Sequence, residues 1–275
     1  MKERVARVNS ALPGGLTKPV ADTMDSPRIL PRLSRQCANC GLHDFLPPCI
    51  LRQPADASGY EAVMCRHAVR EGSPLYLSGE AFHCLYVVRT GLFKSTRWLD
   101  DGRARTAAFA LPGEILGMDG IATGIHANDA LALADSDACA LEYSLISSPD
   151  GPMPALRDQF RGAIVRAAAR AQNLSALRAR EAPVERVALF LLDLSDRFIE
   201  HGHSGSCFAL GMSRDDIADA VGLAVENLLD VMSILRDKRV IAGIRRGKQS
   251  MKIHVLDFPA LRQLAGEPSP ALLAR

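Results

Sequence analysis

The sequence predicts an α+β protein: an N-terminal β-roll or jelly roll, then a long helix, then a C-terminal winged helix-turn-helix domain. Turn signals separate short apolar runs from residue 75 to residue 143. The next stretch, residues 153–180, has helical spacing and no proline after Pro154. Two amphipathic helices separated by a glycine turn then precede a basic hairpin. These observations predict two domains joined by one long helix.

The region from residue 75 to residue 143 has the pattern of antiparallel β-structure. Its short apolar or alternating runs include LYVV, TAAFAL and DALALADSDACALEY, and glycine turns lie between them. In the last run Cys139, Leu141 and Tyr143 share one phase of a strand. We therefore expect Cys139 to point inward or towards a covering segment.

The stretch 153–180 predicts a dimerisation helix. Pro154 suits a first helical turn, and apolar residues then recur at spacings of 4, 3, 4 and 3. So narrow a stripe is typical of a coiled-coil seam, although a helix packed on its own domain is the alternative. No carboxylate occurs between Asp158 and Glu181, so we expect a homodimer with or without a bound signal. The predicted interface residues are Phe160, Ile164, Ala167, Ala168, Ala171 and Leu174.

The C-terminal part predicts a helix-turn-helix. Ser213 and Asp216 resemble a capping box at the start of its first helix, and Gly222 lies in the turn. A second helix is expected from Val225 to Asp237, followed by two short strands around a basic turn. A generic three-helix domain would give the same helices, but the basic wing favours binding to duplex DNA.

Candidate DNA contacts lie on the second helix and around it. The exposed face supplies candidates for base edges: Glu226, Asn227, Asp230 and Ser233. Polar and basic groups around that helix are candidates for phosphates: Ser213, Arg214, Arg236, Lys238, Arg245, Arg246 and Lys248. Two copies are expected to contact half-sites one helical turn apart, roughly 34 Å.

Composition limits the remaining functions. Apolar residues at 48% and charged residues at 23% are ordinary for a globular protein, and the net charge of +2 requires a local patch for nucleic-acid binding. No apolar run is long enough for a membrane span or a signal peptide, so we expect a cytoplasmic protein. Scattered histidines with no evident carboxylate or nucleophile beside them do not indicate an enzyme.

Seven cysteines, an odd number, indicate reduced thiols rather than a disulfide framework. Cys37 and Cys40 form a Cys-x-x-Cys pair, and Cys49 follows closely. With Cys139 as a distant fourth, these thiolates could ligate zinc or an iron–sulfur cluster. Unligated reduced thiols are the alternative.

The predicted organisation has five parts. They are a flexible tail at 1–34, a Cys-containing segment and β-roll at 35–150, a dimerisation helix at 151–180, a winged helix-turn-helix domain at 181–262 and a C-terminal tail at 263–275.

This order of parts resembles the CRP/FNR superfamily of bacterial transcription regulators, and within it the oxygen-sensing FNR branch. The resemblance covers about residues 35–266 and is strongest in MPALRDQF, PVERVALFLLDLSDRF, MSRDDIADAVGLAVEN and the closing LAG. It implies a homodimer whose cyclic-nucleotide-binding-like β-roll senses a signal and whose C-terminal domain binds a palindromic promoter site. It also implies an iron–sulfur cluster, with four irons expected, on Cys37, Cys40, Cys49 and Cys139, and RNA polymerase as a partner.

Two departures from the family pattern stand out. Leu46 occupies the usual place of the third cysteine, and Cys49 follows three residues later. On the second helix Glu226 matches the family, but Leu229 replaces a serine and Asp230 an arginine. An acid there repels phosphate and does not bind guanine, so we expect an altered DNA site. The alternatives are a DNA-binding-impaired paralogue that forms mixed dimers, and a cluster-free regulator with another effector.

The β-roll is not expected to bind a cyclic nucleotide. Members that do so place an arginine and a hydroxyl against the phosphate, and here Asn128 and Asp129 stand at those places. A carboxylate would oppose the phosphate in a partly desolvated pocket.

Overall fold

The computed structural model describes residues 63–148, 154–246 and 250–266 of the 275-residue chain. The strands are β1 (Val63–Val69), β2 (Pro74–Tyr76), β3 (Cys84–Thr90), β4 (Phe93–Trp98), β5 (Ala104–Ala110), β6 (Ile115–Leu116), β7 (Asp129–Ala132), β8 (Ser136–Glu142), β9 (Cys207–Leu210), β10 (Ile241–Arg246) and β11 (Ser250–Val255). The α-helices are α1 (Tyr143–Ser147), α2 (Pro154–Arg178), α3 (Pro183–Glu200), α4 (Arg214–Val221), α5 (Val225–Asp237) and α6 (Phe258–Leu264), and a 3₁₀ turn spans Met118–Gly120.

Two four-stranded antiparallel sheets form the β-roll, in the orders β1-β8-β3-β6 and β2-β7-β4-β5. Val88 and Ala138 from the first sheet and Phe93 and Ala130 from the second belong to one buried cluster. The small residues Ala130 and Ala138 beside the ring of Phe93 allow the sheets to approach closely. The predicted jelly-roll class is confirmed, and β1 extends it before the predicted start at residue 75.

The long helix α2 begins at Pro154 and ends at Arg178, inside the predicted segment 151–180. It contacts both parts of the chain. Phe160 is fully buried in a cluster with Leu85 and Leu141 of the first sheet. Leu174 and Leu177, further along, belong to the C-terminal core. The helix therefore packs along the chain's own two domains.

The C-terminal domain combines α3 to α6 with the three-stranded antiparallel sheet β10-β11-β9. The predicted capping box is present: the Ser213 hydroxyl and the Asp216 carboxylate each bind the other's backbone N–H. Gly222 ends α4 with φ of 68°, a left-handed conformation that favours glycine. The helix-turn-helix and the two wing strands are thus where the sequence predicts them, whereas β9 and α6 were not predicted.

One apolar core joins the C-terminal domain to the β-roll. Leu92, Phe109 and Leu111 of the roll lie in the same buried cluster as Phe190 of α3 and Ile217 of α4. The first helix of the helix-turn-helix is therefore docked against the roll. None of the helices in the described part of the chain is long and apolar enough to cross a membrane.

Candidate nucleic-acid interface and its junction with the β-roll

Helix α5 presents a polar surface built from the residues that the sequence singles out. Glu226, Asn227 and Asp230 are exposed, and Ser233 is half-buried. The opposite side of the helix is buried through Leu228, Val231, Met232 and Leu235, which anchors α5 in the domain. Glu226, Asn227, Asp230 and Ser233 thus lie on the side of α5 that can contact base edges. That they contact DNA bases is a prediction.

The start of α5 offers backbone donors to a phosphate. Ala224 precedes the helix and makes no side-chain capping bond. N–H groups in a first turn have no partner within the helix, and together with the helix dipole they attract anions. Glu226 in this turn adds an opposing charge, which weakens the attraction for phosphate.

Cations lie at the ends of the two helices. Arg214 at the start of α4 and Lys238 after α5 are exposed. Arg236 is also exposed, and its Nε donates to the Met232 carbonyl oxygen at 3.1 Å. Arg245 and Arg246 are the last residues of β10, which places their backbone at the wing. Lys248 lies outside the described residues.

Ser213 has a structural role that limits its predicted contact with DNA. Its hydroxyl donates to Asp216 Oδ2 at 2.6 Å and accepts from the Asp216 N–H at 3.0 Å. The second bond satisfies a backbone donor at the start of α4, and a phosphate contact through this hydroxyl would have to replace the first, its donation to Asp216.

The first helix of the helix-turn-helix is bound to the β4–β5 hairpin through polar contacts. Lys94 Nζ lies 2.5 Å from Asp216 Oδ1, so the capping carboxylate also forms an ion pair with the roll. One turn later, Asp219 Oδ2 accepts from the Thr106 N–H at 2.5 Å. Arg178 at the end of α2 donates to the carbonyl oxygens of Thr106 and Ala220 and so joins three elements.

A second, buried charge cluster lies where the roll meets α2 and α3. Glu114, immediately before β6, accepts from Arg197 of α3 at 2.9 and 2.6 Å, and its Oε1 is 2.9 Å from Arg170 of α2. Arg197 also donates to Asp193 at 3.2 Å, and Arg170 contacts Glu200. The bidentate Glu114–Arg197 pair is buried, so its geometry is well defined. Removal of either partner would leave the other as an uncompensated buried charge.

The electrostatics of both clusters favour the charged carboxylates. Burial alone would raise the pKa of Glu114, but the Arg197 and Arg170 guanidiniums outweigh it and hold that pKa below its usual range. Burial likewise opposes ionisation of Asp216, yet Lys94 and Ser213 lower its pKa. Asp193, in contrast, has a raised pKa because burial outweighs its single contact with Arg197. At Glu114 and Asp216 the neighbouring groups therefore favour the charged form of the carboxyl group.

The predicted seam of α2 divides between two environments. Phe160 is fully buried and Leu174 is 9% exposed, both within the chain's own cores, so they do not form a free seam. Ile164, Ala167 and Ala171 are half-buried, and Ala168 is exposed. Large apolar side chains gain most from burial, which explains why the stripe faces the chain's own domains.

An opposite stripe of α2 is exposed. Val165, Ala169, Gln172 and Ala176 follow one another at spacings of 4, 3 and 4, and all four are exposed, Val165 by 67%. This stripe also has the spacing of a coiled-coil seam. Helix α2 therefore has two stripes with the same spacing. The sequence analysis assigned the dimer interface to the more apolar stripe.

Cys139 lies on the outer face of the β1-β8-β3-β6 sheet. In the register of β8 it is opposite Val87 of β3 and Arg66 of β1, and it shares a face with Leu141, which packs towards α2. The residue is buried and forms no disulfide. Cys139 therefore faces the covering side of the sheet, one of the two orientations expected. Cys37, Cys40 and Cys49 lie outside the described residues.

The interior of the roll beside β7 contains aromatic and acidic groups. The ring of Tyr76 stacks on buried His126 with centroids 3.8 Å apart, and His126 Nδ1 is 3.6 Å from Asp119. Asp129 accepts from the Ser78 N–H at 2.7 Å and from Trp98 Nε1 at 2.8 Å. Both of the groups that donate to Asp129 are neutral.

Comparison with known proteins agrees with this architecture. A family model described as a cyclic nucleotide-binding domain matches residues 66–147, and a Crp-like helix-turn-helix domain matches residues 185–264. Transcriptional activator protein Anr of Pseudomonas protegens is 31% identical, over 84% of this chain and 92% of that protein. The chain belongs to the CRP/FNR family of transcription regulators. It is accordingly a DNA-binding regulator and not an enzyme.

Other members give the same result. The fumarate and nitrate reduction regulatory protein of Vibrio cholerae is 28% identical, over 84% of this chain and 90% of that protein. The structure of FixK2 from Bradyrhizobium japonicum superposes with a TM-score of 0.62 at 26% identity, covering 73% of this chain and 96% of that one.

The junction residues were missed by sequence reasoning. Lys94 and Asp216 are 122 residues apart, and Glu114 and Arg197 are 83 apart. A single sequence contains no signal that pairs them. The sequence identified Asp216 only as a capping residue and not as the partner of Lys94.

Proposed function

We propose that this CRP/FNR regulator responds to oxygen or redox state through an iron–sulfur cluster and binds a palindromic promoter site as a cytoplasmic homodimer. Cys37, Cys40, Cys49 and Cys139 would hold the cluster, and no cyclic nucleotide would be required. RNA polymerase is the expected partner at the promoter. The position of Cys139 beside the strand that continues the cysteine segment is the observation on which the cluster proposal depends.

The topology of the first sheet supports the proposed ligand set. β1 begins at Val63, which is paired with Leu141, two residues from Cys139 along β8. The chain that carries the three N-terminal cysteines thus joins the sheet beside the fourth. From Cys49 to Val63 the backbone can span up to roughly 45 Å, so its length permits a return to Cys139. When bound, a thiolate-ligated cluster would supply oxidation-sensitive chemistry.

Changing Cys139 to Ser should abolish cluster binding. With one of four thiolates removed, anaerobically prepared protein is expected to lose its visible absorption and its bound iron and sulfide; Cys37→Ser should act alike. Cys207→Ser is the matched control, because that thiol lies in the wing sheet, 3.2 Å from His254. Wild-type protein that remains colourless and iron-free after anaerobic reconstitution would show that the cluster proposal is wrong.

The two charge clusters offer a path from the roll to the DNA-binding helices. Lys94 and Thr106 belong to the roll, whereas Asp216 and Asp219 belong to α4, which precedes the turn to α5. Glu114 connects the roll to α2 and α3 at the same time. A displacement of the β-roll would therefore act on α2, α3 and α4 together, as coupling through packed networks requires.

The dimer is proposed to form through the exposed stripe of α2. Small side chains at Ala169 and Ala176 permit close approach of a second helix, and no carboxylate lies on the stripe. Ala169→Asp should raise the dimer dissociation constant more than tenfold, because two like charges would face each other, at a cost of several kcal/mol. Light scattering over a dilution series measures this.

Ser175→Asp is the control for dimerisation, since it adds the same charge at an exposed position of α2 outside the stripe. Ala171→Asp tests the stripe that the sequence indicated first. If Ala169→Asp remains as dimeric as the wild type, the proposed interface is wrong. A monomeric aerobic wild type would contradict dimerisation without a signal.

A second candidate function is a regulator that forms mixed dimers and binds DNA poorly. The α5 surface supports it, because Glu226 and Asp230 are exposed acids one turn apart and Leu229 is 38% exposed. Like charges at this spacing repel phosphate together. Selection from a random DNA pool separates the two candidates, since a mixed-dimer partner would enrich no palindrome by itself.

A further inference from the structure

A cavity of about 320 Å³ lies in the C-terminal domain beneath α5. Its walls come from α3, α4, α5 and the three-stranded sheet, and except for two arginines every residue that lines it is apolar or glycine. Ile217 and Met232 are buried in its wall, whereas Leu229 and Gly243 are exposed and mark where it opens. An apolar cavity of this size lowers stability when nothing fills it.

The two arginines, Arg214 and Arg236, give the opening a positive charge. Both are exposed, from the start of α4 and the last turn of α5 respectively. No carboxylate lines the cavity, and within the described ranges neither guanidinium forms an ion pair with an acid. The site thus combines an apolar interior with two cations available to an anion.

We propose that this cavity binds a small monoanion with an apolar body, of the class of medium-chain carboxylic acids. The carboxylate would lie between Arg214 and Arg236, and the chain would extend beneath α5. An apolar cavity of ~150 Å³ holds benzene, with six carbons. A volume about twice as large therefore suits roughly a dozen non-hydrogen atoms, which is the size of decanoate.

An occupant of this kind would oppose DNA binding. Arg214 and Arg236 are predicted phosphate contacts, and a carboxylate between them would neutralise both. α5 also supplies Leu228, Leu229 and Met232 to the cavity wall, so ligand and DNA would act on one helix. Their effects on each other's affinity must be reciprocal. This consequence depends on DNA binding by α5, whereas occupancy of the cavity does not.

Methyl NMR of the full chain labelled at methionine tests the proposal with decanoate as the probe. The Met232 methyl resonance should shift saturably, while Met118 in the β-roll should remain unchanged. Butyrate has the carboxylate but only a short chain, and decan-1-ol has the long chain but no charge. Each should bind at least about tenfold more weakly than decanoate. No shift of Met232, or equal shifts of both methionines, would contradict the site. Equal affinity for decan-1-ol would contradict the anionic class.

Substitutions locate the probe. Arg214→Gln with Arg236→Gln should weaken decanoate binding about tenfold or more, whereas Arg262→Gln on α6 should leave it unchanged. Ile217→Phe should fill the cavity and remove binding; if that variant does not fold, the arginine variants still decide. Undiminished binding in the double arginine variant would overturn the proposed orientation. DNA titration with and without decanoate then tests the competition separately, and equal DNA affinities would show that part to be wrong.

Discussion

Glu114→Gln is expected to lower the free energy of unfolding by about 3–5 kcal/mol, the range for breaking one partner out of a buried ion pair. The substitution leaves the shape nearly unchanged but removes the charge that Arg197 and Arg170 share. Arg197 is buried, and its remaining partners would be Asp193, at 3.2 Å, and the neutral Phe109 carbonyl oxygen, at 2.9 Å. Urea denaturation at one protein concentration measures the difference.

Glu200→Gln is the matched control for this substitution. Glu200 contacts the same Arg170 but is half exposed, so its loss should cost no more than about 1 kcal/mol. Similar small losses for both variants would mean that the buried pair contributes little net stability, as some buried pairs do.

The stabilisation by the Glu114–Arg197 pair should depend on pH. The pKa of Glu114 in the folded chain lies below its ordinary value of 4.5. The stabilisation is therefore fully present above that ordinary value and is lost as the pH falls through the lowered one. The difference between wild type and Glu114→Gln should thus be constant near neutral pH and shrink only in acid. A difference that vanished between pH 6 and 8 would indicate another titrating group.

Local sequence patterns were sufficient for most of the fold. The bounds of α5 and the capping box at Ser213 follow from helical spacing and from residues three apart, which a single sequence displays. Strand β9 and helix α6 are short, and their formation depends on packing against β11 and α3 rather than on local signals. Such elements are predictable only after the surrounding core is known.

The candidate site was predicted less completely, for a physical reason. Exposure on α5 follows from its period, so Glu226 and Asp230 could be identified. The orientation of α2 could not, because two stripes with equal spacing compete and only the tertiary packing decides between them. Phe160 was consequently assigned to a partner chain although it is buried in its own. The pairing of Lys94 with Asp216 depends on domain docking, which no local pattern encodes.

The combined change Leu229→Ser and Asp230→Arg should shift DNA specificity towards the palindrome that other members of the family bind. Both positions are exposed on α5, so the new side chains can reach base edges without repacking the core. An arginine bidentate to guanine contributes about 1–3 kcal/mol of discrimination, or roughly five- to 150-fold. Selection from a random pool, then fluorescence anisotropy on the enriched sites, measures the shift.

Asp237→Arg separates specificity from charge. It makes the same change of charge at an exposed position at the end of α5, away from the first turns that approach the bases. We expect it to strengthen binding to all sequences alike and to steepen the salt dependence, because the added cation can contact only phosphate. The double variant should instead change the ratio between sites. If the wild type already enriches the relatives' palindrome, or if both variants alter all sites equally, Asp230 does not determine specificity.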